Sequence, residues 1–382
     1  MHSADPGEAR PLAVSITAAD GFTLRAYVWR RHALLNADAS RAVVIVNSAT
    51  SVRCHYYFRF GAWLYQQGFD VLVYDYRGIG ASQPVALATL DASWLEWGER
   101  DFEAVLRYAR SMFPGQPIDV VGHSIGGFLI GLAPSNHLIR RVFTVGTQYA
   151  YWRDYAPRSM PLMLWKWHVV MPVLTGLVGY FPASWFGWME DTPRGVAKIW
   201  SRGRARFEDT LSKGSLARTP AQRADIVARF GNMHAPILAV SFPDDPFGTV
   251  RAIERTLRYF THCESTHVRI APASIGERSI GHFAFFHSRF ERSLWPLARH
   301  WLADGSVIAT TPATTHPSPG HAEVESDSPS HAMPVAMPIG TRKQACAVVP
   351  IGPGVWTIRK SVTNATAVEK NGERDQRCDR LQ

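Results

Sequence analysis

The stretch VVGHSIGG, residues 120–127, contains a serine between two glycines at the end of an apolar run. Its first residues have the β-branched composition of a buried strand, and Gly122 and Gly126 stand two residues before and after Ser124. Two interpretations fit this pattern: an ordinary tight turn, or a sharp strand-to-helix turn, the nucleophile elbow, that exposes a reactive hydroxyl. The second interpretation requires strands and helices on both sides, and an acid and a histidine farther along the chain.

Short apolar runs alternate with helical patterns on both sides of this stretch. The chain begins with two strand-like segments around Asp20-Gly21, a dipeptide suited to a hairpin. The alternation that follows predicts an α/β fold: a mostly parallel central sheet with helices on both faces. The strand candidates are RAVVIVNS (41–48), FDVLVYDY (69–76), PIDVVGHS (117–124), RRVFTVGTQ (140–148), APILAVSF (235–242) and THVRIA (266–271).

Two adjacent aspartates are the candidates for the acid of a catalytic triad. In this type of sheet the triad residues follow in the order serine, acid, histidine. Asp244 and Asp245 come directly after a predicted strand, where a loop directs a carboxylate towards the carboxyl edge of the sheet. Only one of them can reach the histidine, and we select Asp245, directly before Pro246, with Asp244 as the alternative. The competing interpretation is that both are turn formers without a catalytic role.

The base is predicted to be His282, which lies in the loop after the last predicted strand. A histidine in this position accepts the serine proton and returns it to the leaving group. The competing interpretation is a packed loop histidine, but the order and the strand-end positions of all three residues favour the triad. Three other histidines fit less well, because they lie within a strand or beyond the glycine-marked loop: His262, His267 and His287.

Backbone N–H groups are expected to stabilise the oxyanion that forms when a serine attacks a carbonyl. The first donor should be the N–H of Ile125, which follows the serine. The second should come from the loop NSATS, residues 47–51, and Ala49 is the best placed candidate there. The alternative for this loop is an ordinary connection between a strand and a helix.

These motifs resemble the α/β-hydrolase superfamily over roughly residues 10–303, and within it the bacterial hydrolases grouped near serine aminopeptidases and monoacylglycerol lipases. The resemblance implies Ser124 as nucleophile, Asp245 as acid, His282 as base, and Ile125 with Ala49 as oxyanion donors. Many relatives have His-Gly where this chain has Asn47-Ser48, which leaves the second donor open. The stretches that carry the resemblance are DYRGIGAS (75–82), VVGHSIGG, FPDDPFG (242–248) and IGHFAFF (280–286).

Residues 150–230 interrupt the alternation. They contain six of the thirteen tryptophans and few strand signals, which predicts a helical lid inserted between an N-terminal part of the core (1–149) and a C-terminal part (231–303). The run at 161–181 is nearly all apolar and long enough to span a bilayer, although it contains Lys166. We favour a lid that lines an acyl pocket, and peripheral contact with a membrane surface is the alternative.

Composition limits the remaining function classes. Residues 304–382 are rich in Pro, Ser and Thr, and we expect a disordered extension there. The net charge is +9, but nothing resembles a nucleic-acid-binding module. The first ten residues lack the apolar core of a secretory signal, so a cytoplasmic protein is expected. No metal-like spacing is found in the four cysteines, Cys54, Cys263, Cys346 and Cys378.

The sequence thus predicts a serine hydrolase, without cofactor or metal, that cleaves carboxylic esters or thioesters with an apolar acyl group. Two alternatives stay open. The same triad serves acyl transfer and peptide cleavage, and a hydrolase fold also serves as a non-catalytic ligand-binding protein. Arg77 lies in a loop at the carboxyl edge and is predicted to stabilise that loop rather than to bind substrate. Oligomeric state and the physiological substrate are not predicted.

Overall fold

A computed structural model describes residues 10–31, 41–83, 86–307, 344–352 and 355–362, the last two ranges as backbone only. Ten strands and eleven α-helices are found in these residues. The strands are β1 (Leu12–Thr17), β2 (Thr23–Trp29), β3 (Val43–Asn47), β4 (Asp70–Tyr74), β5 (Ile118–His123), β6 (Ile139–Val145), β7 (Ile237–Ser241), β8 (Ser265–Ile270), β9 (Gln344–Gly352) and β10 (Val355–Val362). The helices are α1 (Phe58–Gln66), α2 (Trp94–Glu96), α3 (Glu103–Met112), α4 (Ile125–Leu129), α5 (Met160–Leu164), α6 (Met171–Val178), α7 (Arg194–Ser201), α8 (Phe207–Thr210), α9 (Pro220–Phe230), α10 (Val250–Leu257) and α11 (Trp295–Asp304).

All ten strands form one sheet in the order β1-β2-β4-β3-β5-β6-β7-β8-β10-β9. The six strands from β4 to β8 in this order are parallel, and the pairs at both ends are antiparallel. The prediction of a mostly parallel sheet is therefore confirmed. Parallel strands end at the same edge, so the loops after β3, β5, β6, β7 and β8 meet at one carboxyl edge.

Helices cover both faces of the sheet, and β3 shows how its sequence permits this. Every residue of β3 is buried. Val44 and Val46 pack into a cluster with residues of α1 and α11, whereas Val43 and Ile45 pack into a second cluster with residues of α3 and α9. Side chains alternate across a strand, so an unbroken run of β-branched residues fills two cores at once.

The segment between β6 and β7, residues 150–230, contains α5 to α9 and no strand of the sheet. A π-helical segment, Trp165–Val170, joins α5 to α6, and together they form one helix over Met160–Val178. Among the described residues, only this helix is long and apolar enough to cross a membrane. Within this segment, Phe181 and Thr192 form one isolated antiparallel β-bridge outside the sheet.

The C-terminal segment 304–382 was expected to be disordered, and this expectation is wrong for two parts of it. Residues 344–352 and 355–362 form the hairpin β9–β10, and β10 pairs antiparallel with β8. Both strands contain apolar and β-branched residues, in QACAVVPIG and VWTIRKSV, and the free edge of β8 supplies their hydrogen-bond partners. The Pro-rich and Ser-rich composition that led to the prediction lies in residues 308–343, outside the described ranges.

Candidate active site

Ser124 occupies the turn between β5 and α4 with φ 55° and ψ −124°. This conformation is strained for a residue with a side chain, and it persists because the surrounding backbone packs closely. A Cβ atom on Gly122 would lie 2.5 Å from the Gly127 Cα, and one on Gly126 would overlap the Asn47 carbonyl oxygen. Both glycines are therefore required for β5 and α4 to meet at so sharp an angle.

Asp245 and His282 form a buried pair. The His282 Nδ1 donates to the Asp245 Oδ2 at 2.7 Å, and the other carboxylate oxygen accepts the N–H groups of Phe247 and Gly248, each at 2.8 Å. Burial disfavours the charged carboxylate, but His282 and these two N–H groups outweigh it and lower the pKa of Asp245 below its ordinary value. The carboxylate therefore stays ionised and fixes the tautomer of the imidazole, with Nε2 free to act as a base.

The neighbouring Asp244 has a different role. Its Oδ2 accepts the N–H groups of Ile280 and Gly281 at 2.7 and 2.9 Å, and so holds the loop that carries His282. The structure thus places Asp245, rather than Asp244, against the imidazole. The three rival histidines lie elsewhere: His267 bonds to Ser241 within the sheet, His262 bonds to Gly231, and His287 is exposed beside Tyr56.

The Ser124 hydroxyl has a partner that the sequence analysis did not predict. Gln148, three residues after β6, donates from Nε2 to the Ser124 Oγ at 3.0 Å. No hydrogen bond joins this oxygen to His282 in the described part of the chain, although both side chains line the same cavity. Hydrogen bonds of catalytic groups often tighten only when substrate binds, so the present geometry is compatible with a triad.

The two predicted oxyanion donors are differently placed. Ile125 begins α4, so its N–H has no acceptor within the helix and is available to a ligand. The Ala49 N–H instead donates to the buried Tyr57 hydroxyl at 2.9 Å. The prediction that Ala49 supplies the second donor therefore does not hold in this geometry, because its only N–H is already used.

Tyr57 is part of a directed chain of hydrogen bonds behind the site. His123 Nε2 contacts the His282 carbonyl oxygen at 2.9 Å, which makes Nε2 the protonated nitrogen. His123 Nδ1 then accepts from the Tyr57 hydroxyl at 2.8 Å, and that hydroxyl accepts from Ala49. Burial, with the neighbouring His282, lowers the pKa of His123 to about 3, so it stays neutral. The sequence analysis did not single out His123, although it lies directly before Ser124.

A cavity of about 170 Å³ opens beside Ser124 and His282. Gln148 and Ala49 lie at the same end, whereas Lys166 reaches the wall over the ring of Trp188, at 4.2 Å from the ring centre. A similar volume, about 150 Å³, accommodates benzene in a well-studied apolar cavity. Most of the remaining wall is aromatic, and Thr50, Ala150 and Met189 complete it. The aromatic residues are Trp94, Trp167, Trp188, Trp200, Phe247 and Phe283.

Arg77 does not line this cavity. Its Nε donates to the buried Asp101 at 2.7 Å and its Nη1 to Asp20 at 2.6 Å. Asp20 lies in the turn that joins β1 and β2, so the guanidinium connects the first hairpin to the π-helical segment Trp97–Phe102, which contains Asp101. These contacts agree with the predicted structural role for Arg77.

One group in the described ranges has three potential metal ligands close together: Cys54, His55 and Asp75. Both Asp75 carboxylate oxygens already accept backbone N–H groups, from Cys54 at 2.7 Å and from Ala81 at 2.9 Å. Burial raises the pKa of the Cys54 thiol, and the nearby Asp75 carboxylate adds to this, so the thiolate that a metal requires is disfavoured. The group does not fit a metal site.

Several solved structures are similar to this chain at low identity. An esterase from Pyrococcus furiosus is 14% identical, with 76% of this chain and 90% of that chain covered and a TM-score of 0.47. An esterase domain from Rhodothermus marinus is 16% identical, with 76% and 99% covered and a TM-score of 0.44. A serine hydrolase without a lid, from Xanthomonas campestris, is 13% identical, with 80% and 96% covered and a TM-score of 0.41.

At the level of sequence, no curated protein matches. The family model described as serine aminopeptidase, S33, matches residues 38–245, more than half of the chain. The matched residues end at Asp245 and include β3 to β7 and the turn with Ser124. This agrees with the sheet order and with the buried Asp245–His282 pair. The chain therefore belongs to the serine aminopeptidase S33 family of α/β hydrolases.

Proposed function

We propose that the protein is a serine hydrolase that cleaves carboxylic esters or thioesters with a compact apolar acyl group. The observation that carries this proposal is the buried Asp245–His282 pair, whose histidine lines a cavity together with Ser124. A carboxylate that orients an imidazole in the same site as a serine on a strained turn is the arrangement required for nucleophilic catalysis.

In the proposed reaction the Ser124 Oγ attacks the carbonyl carbon while His282 Nε2 accepts the hydroxyl proton. The carbonyl electron pair moves to oxygen, next to the free Ile125 N–H. Collapse of this intermediate breaks the bond to the leaving group, which takes the proton from His282. Water then repeats the sequence on the acyl-enzyme and releases the acid. Asp245 remains ionised throughout and stabilises the imidazolium.

The cavity supports the proposed substrate class. Aromatic walls favour an apolar acyl group over a charged peptide, and the volume of about 170 Å³ suits a single ring or a short chain. Three of the tryptophans, Trp167, Trp188 and Trp200, come from residues 150–230. We infer that this segment is a lid that completes the acyl pocket, and that its removal would leave Ser124 open to water.

The test uses esters of increasing acyl length with wild type, Ser124→Ala and the matched surface control Ser212→Ala. Wild type and the control should react with a fluorophosphonate probe and should prefer short or aromatic acyl groups. Ser124→Ala should lose labelling and at least about a 10⁴-fold factor in kcat. Full activity of Ser124→Ala would disprove the mechanism.

The family description makes peptide cleavage the main alternative chemistry. Aminoacyl amides and competing alcohol acceptors, offered to the same enzyme, distinguish the reactions by their products. Faster release from an aminoacyl amide than from the best ester would replace the esterase proposal by a peptidase. Absence of labelling and of turnover in wild type would instead indicate a ligand-binding protein.

A further inference from the structure

The helix Met160–Val178 has an apolar face on its outside as well as on its inside. Met163, Trp167, Met171 and Thr175 are buried at intervals of four residues and face the core. On the opposite side, five large apolar side chains are between 43% and 79% exposed. We call these five residues the outer stripe: Leu162, Trp165, Val169, Val173 and Leu177.

Most of the exposed large apolar side chains in the described residues lie in the outer stripe or close to it in the chain. Nine large hydrophobic side chains are exposed in the described part of the chain, and seven of them lie within residues 162–186. The two outside the stripe are Trp185 and Phe186, in the loop that follows α6. Contiguous exposed apolar surface of this kind marks a site of interaction, because exposing it to water is costly.

The net positive charge of residues 150–230, the segment that contains the outer stripe, favours an anionic partner. Residues 150–230 contain twelve basic and six acidic side chains, and Arg158, just before the helix, is exposed. A single helix with an apolar stripe, with the exposed Arg158 before it and the half-buried Lys166 within it, fits an anionic lipid surface, where the stripe enters the acyl region and cations meet the headgroups. The same stripe on a second copy of the chain is the competing occupant, and the test below separates the two by flotation and by self-association.

We propose that the outer stripe, with Trp185 and Phe186, docks the protein on an anionic membrane surface. The helix then lies in the plane of the interface, with Trp167 on its inner side lining the cavity and Leu177 on its outer side in the lipid. This arrangement brings the cavity next to the phase in which apolar esters accumulate.

The test is flotation of the full chain with vesicles, with Trp165→Gln/Val173→Gln/Leu177→Gln as the variant. Leu12→Gln is the matched control, because Leu12 is 69% exposed on β1 and far from the helix in sequence. Wild type and the control should float with vesicles of phosphatidylcholine and phosphatidylglycerol, and less with phosphatidylcholine alone. The triple variant should bind about a hundredfold more weakly.

Two results would overturn the proposal. Wild type that stays with the soluble fraction at low ionic strength would show that the stripe does not bind lipid. Self-association of wild type in sedimentation equilibrium, lost in the triple variant and accompanied by no flotation, would assign the stripe to a second copy. Because all three substituted side chains are exposed, circular dichroism should confirm that the variant is folded.

A second inference comes from Gln148 and depends on the proposed function. Its Oε1 accepts the N–H of Ala150, a residue held at φ 60°, and this contact fixes which end of the amide faces Ser124. Its Nε2 therefore points a donor at the Ser124 Oγ, at 3.0 Å, from a side chain that is only 6% exposed. A preorganised, buried amide donor is the type of group that stabilises an oxyanion.

We infer that Gln148 supplies the second oxyanion donor, in place of the Ala49 N–H that Tyr57 occupies. When Ser124 attacks, Oγ bonds to the carbonyl carbon and the negative charge appears on the neighbouring oxygen. The Gln148 amide, already beside Oγ, then donates to that oxygen together with the Ile125 N–H. The interaction is stronger in the transition state than in the ground state, so it raises kcat rather than lowering KM.

Gln148→Met removes the donor with little change in volume, and Gln67→Met on the surface is the control. For Gln148→Met we expect kcat to fall about a hundredfold with KM nearly unchanged. A boronic acid with the same acyl group forms a tetrahedral adduct on Ser124, and its affinity should fall by a similar factor. The control should match wild type in all three quantities.

The two proposals fail in distinguishable ways. If wild type reacts with the fluorophosphonate probe and Gln148→Met keeps its full kcat, the role of Gln148 is wrong and the triad stands. A fall in kcat with unchanged boronic acid affinity would also exclude an oxyanion donor. If Ser124→Ala retains the activity of wild type, the proposed function itself is wrong.

Discussion

The two sides of the cavity are held in place by different forces. On the sheet side, Ser124, Gln148 and His282 are positioned by hydrogen bonds of fixed direction, one of them to the backbone N–H of Ala150. On the side of residues 150–230, Trp167 and Trp200 are stacked with ring centres 4.6 Å apart. Hydrogen bonds fail with small displacements, whereas packed rings tolerate them. The sheet side should therefore control the chemical step, and the tryptophan side should control which acyl group enters.

The largest expected effect separates the two adjacent aspartates on the sheet side. Asp245→Asn keeps the shape of the side chain but no longer fixes the His282 tautomer, and kcat should fall by about 10⁴-fold. Asp244→Asn keeps an oxygen for the Ile280 and Gly281 N–H groups and should change kcat by less than about tenfold. Steady-state kinetics on the best ester measures both. Equal losses in the two variants would show that the carboxylate contact with His282 is not what matters.

A smaller effect concerns stability on the sheet side. His123 has a folded pKa of about 3 and an unfolded value near 6.5, so acid favours the unfolded chain between these two pH values. The contribution of His123 to the free energy of unfolding should be constant above pH 6.5. It should decrease by about 1.4 kcal/mol for each pH unit from there down to about pH 3. Urea denaturation at several pH values measures this, and His123→Gln should have a shallower slope. Identical slopes would show that His123 does not become protonated on unfolding.

The smallest effect tests the tryptophan side. Trp188 is half-buried and lines the cavity, so Trp188→Ala should enlarge it and raise the kcat/KM ratio of a decanoate to a butyrate ester about tenfold. Trp152→Ala is the control, because Trp152 is also half-buried in residues 150–230 but does not line the cavity. Because the two esters are compared on the same variant, a smaller fraction of folded enzyme lowers both rates equally and leaves their ratio unchanged. An unchanged ratio, or one that shifts in the control as well, would contradict the assignment of selectivity to this side.

The outer stripe extends the same comparison. The helix Met160–Val178 presents one apolar face to the core and another to the outside. The apolar run was recognised in the sequence because its composition is unmistakable. Its two faces were not, since a continuous apolar run has no periodic signal that distinguishes them. Only the packing of Met163 and Trp167 against the core decided which residues are left in solvent.

Local sequence determined much of this protein. The β-branched runs, the glycines around Ser124 and the helical character of residues 150–230 each depend on backbone sterics or on side-chain periodicity, which act over a few residues. The mostly parallel sheet and the turn at Ser124 were therefore predicted from the sequence. The hairpin β9–β10 was missed because the Pro-rich and Ser-rich segment before it dominated the composition, and the strand with which β10 pairs, β8, lies about ninety residues earlier in the chain.

Tertiary structure alone decided the contacts between distant residues. The sequence distinguished Asp245 from Asp244 only by the following Pro246, and the direction of one loop assigns Asp244 to backbone N–H groups and Asp245 to His282. The Ala49 N–H was taken by Tyr57, and Gln148 came to lie against Ser124, through the way in which β3, β5 and β6 align at one sheet edge. Hydrogen bonds depend on distances of a few tenths of an ångström, and no pattern in the sequence encodes such distances between separate strands.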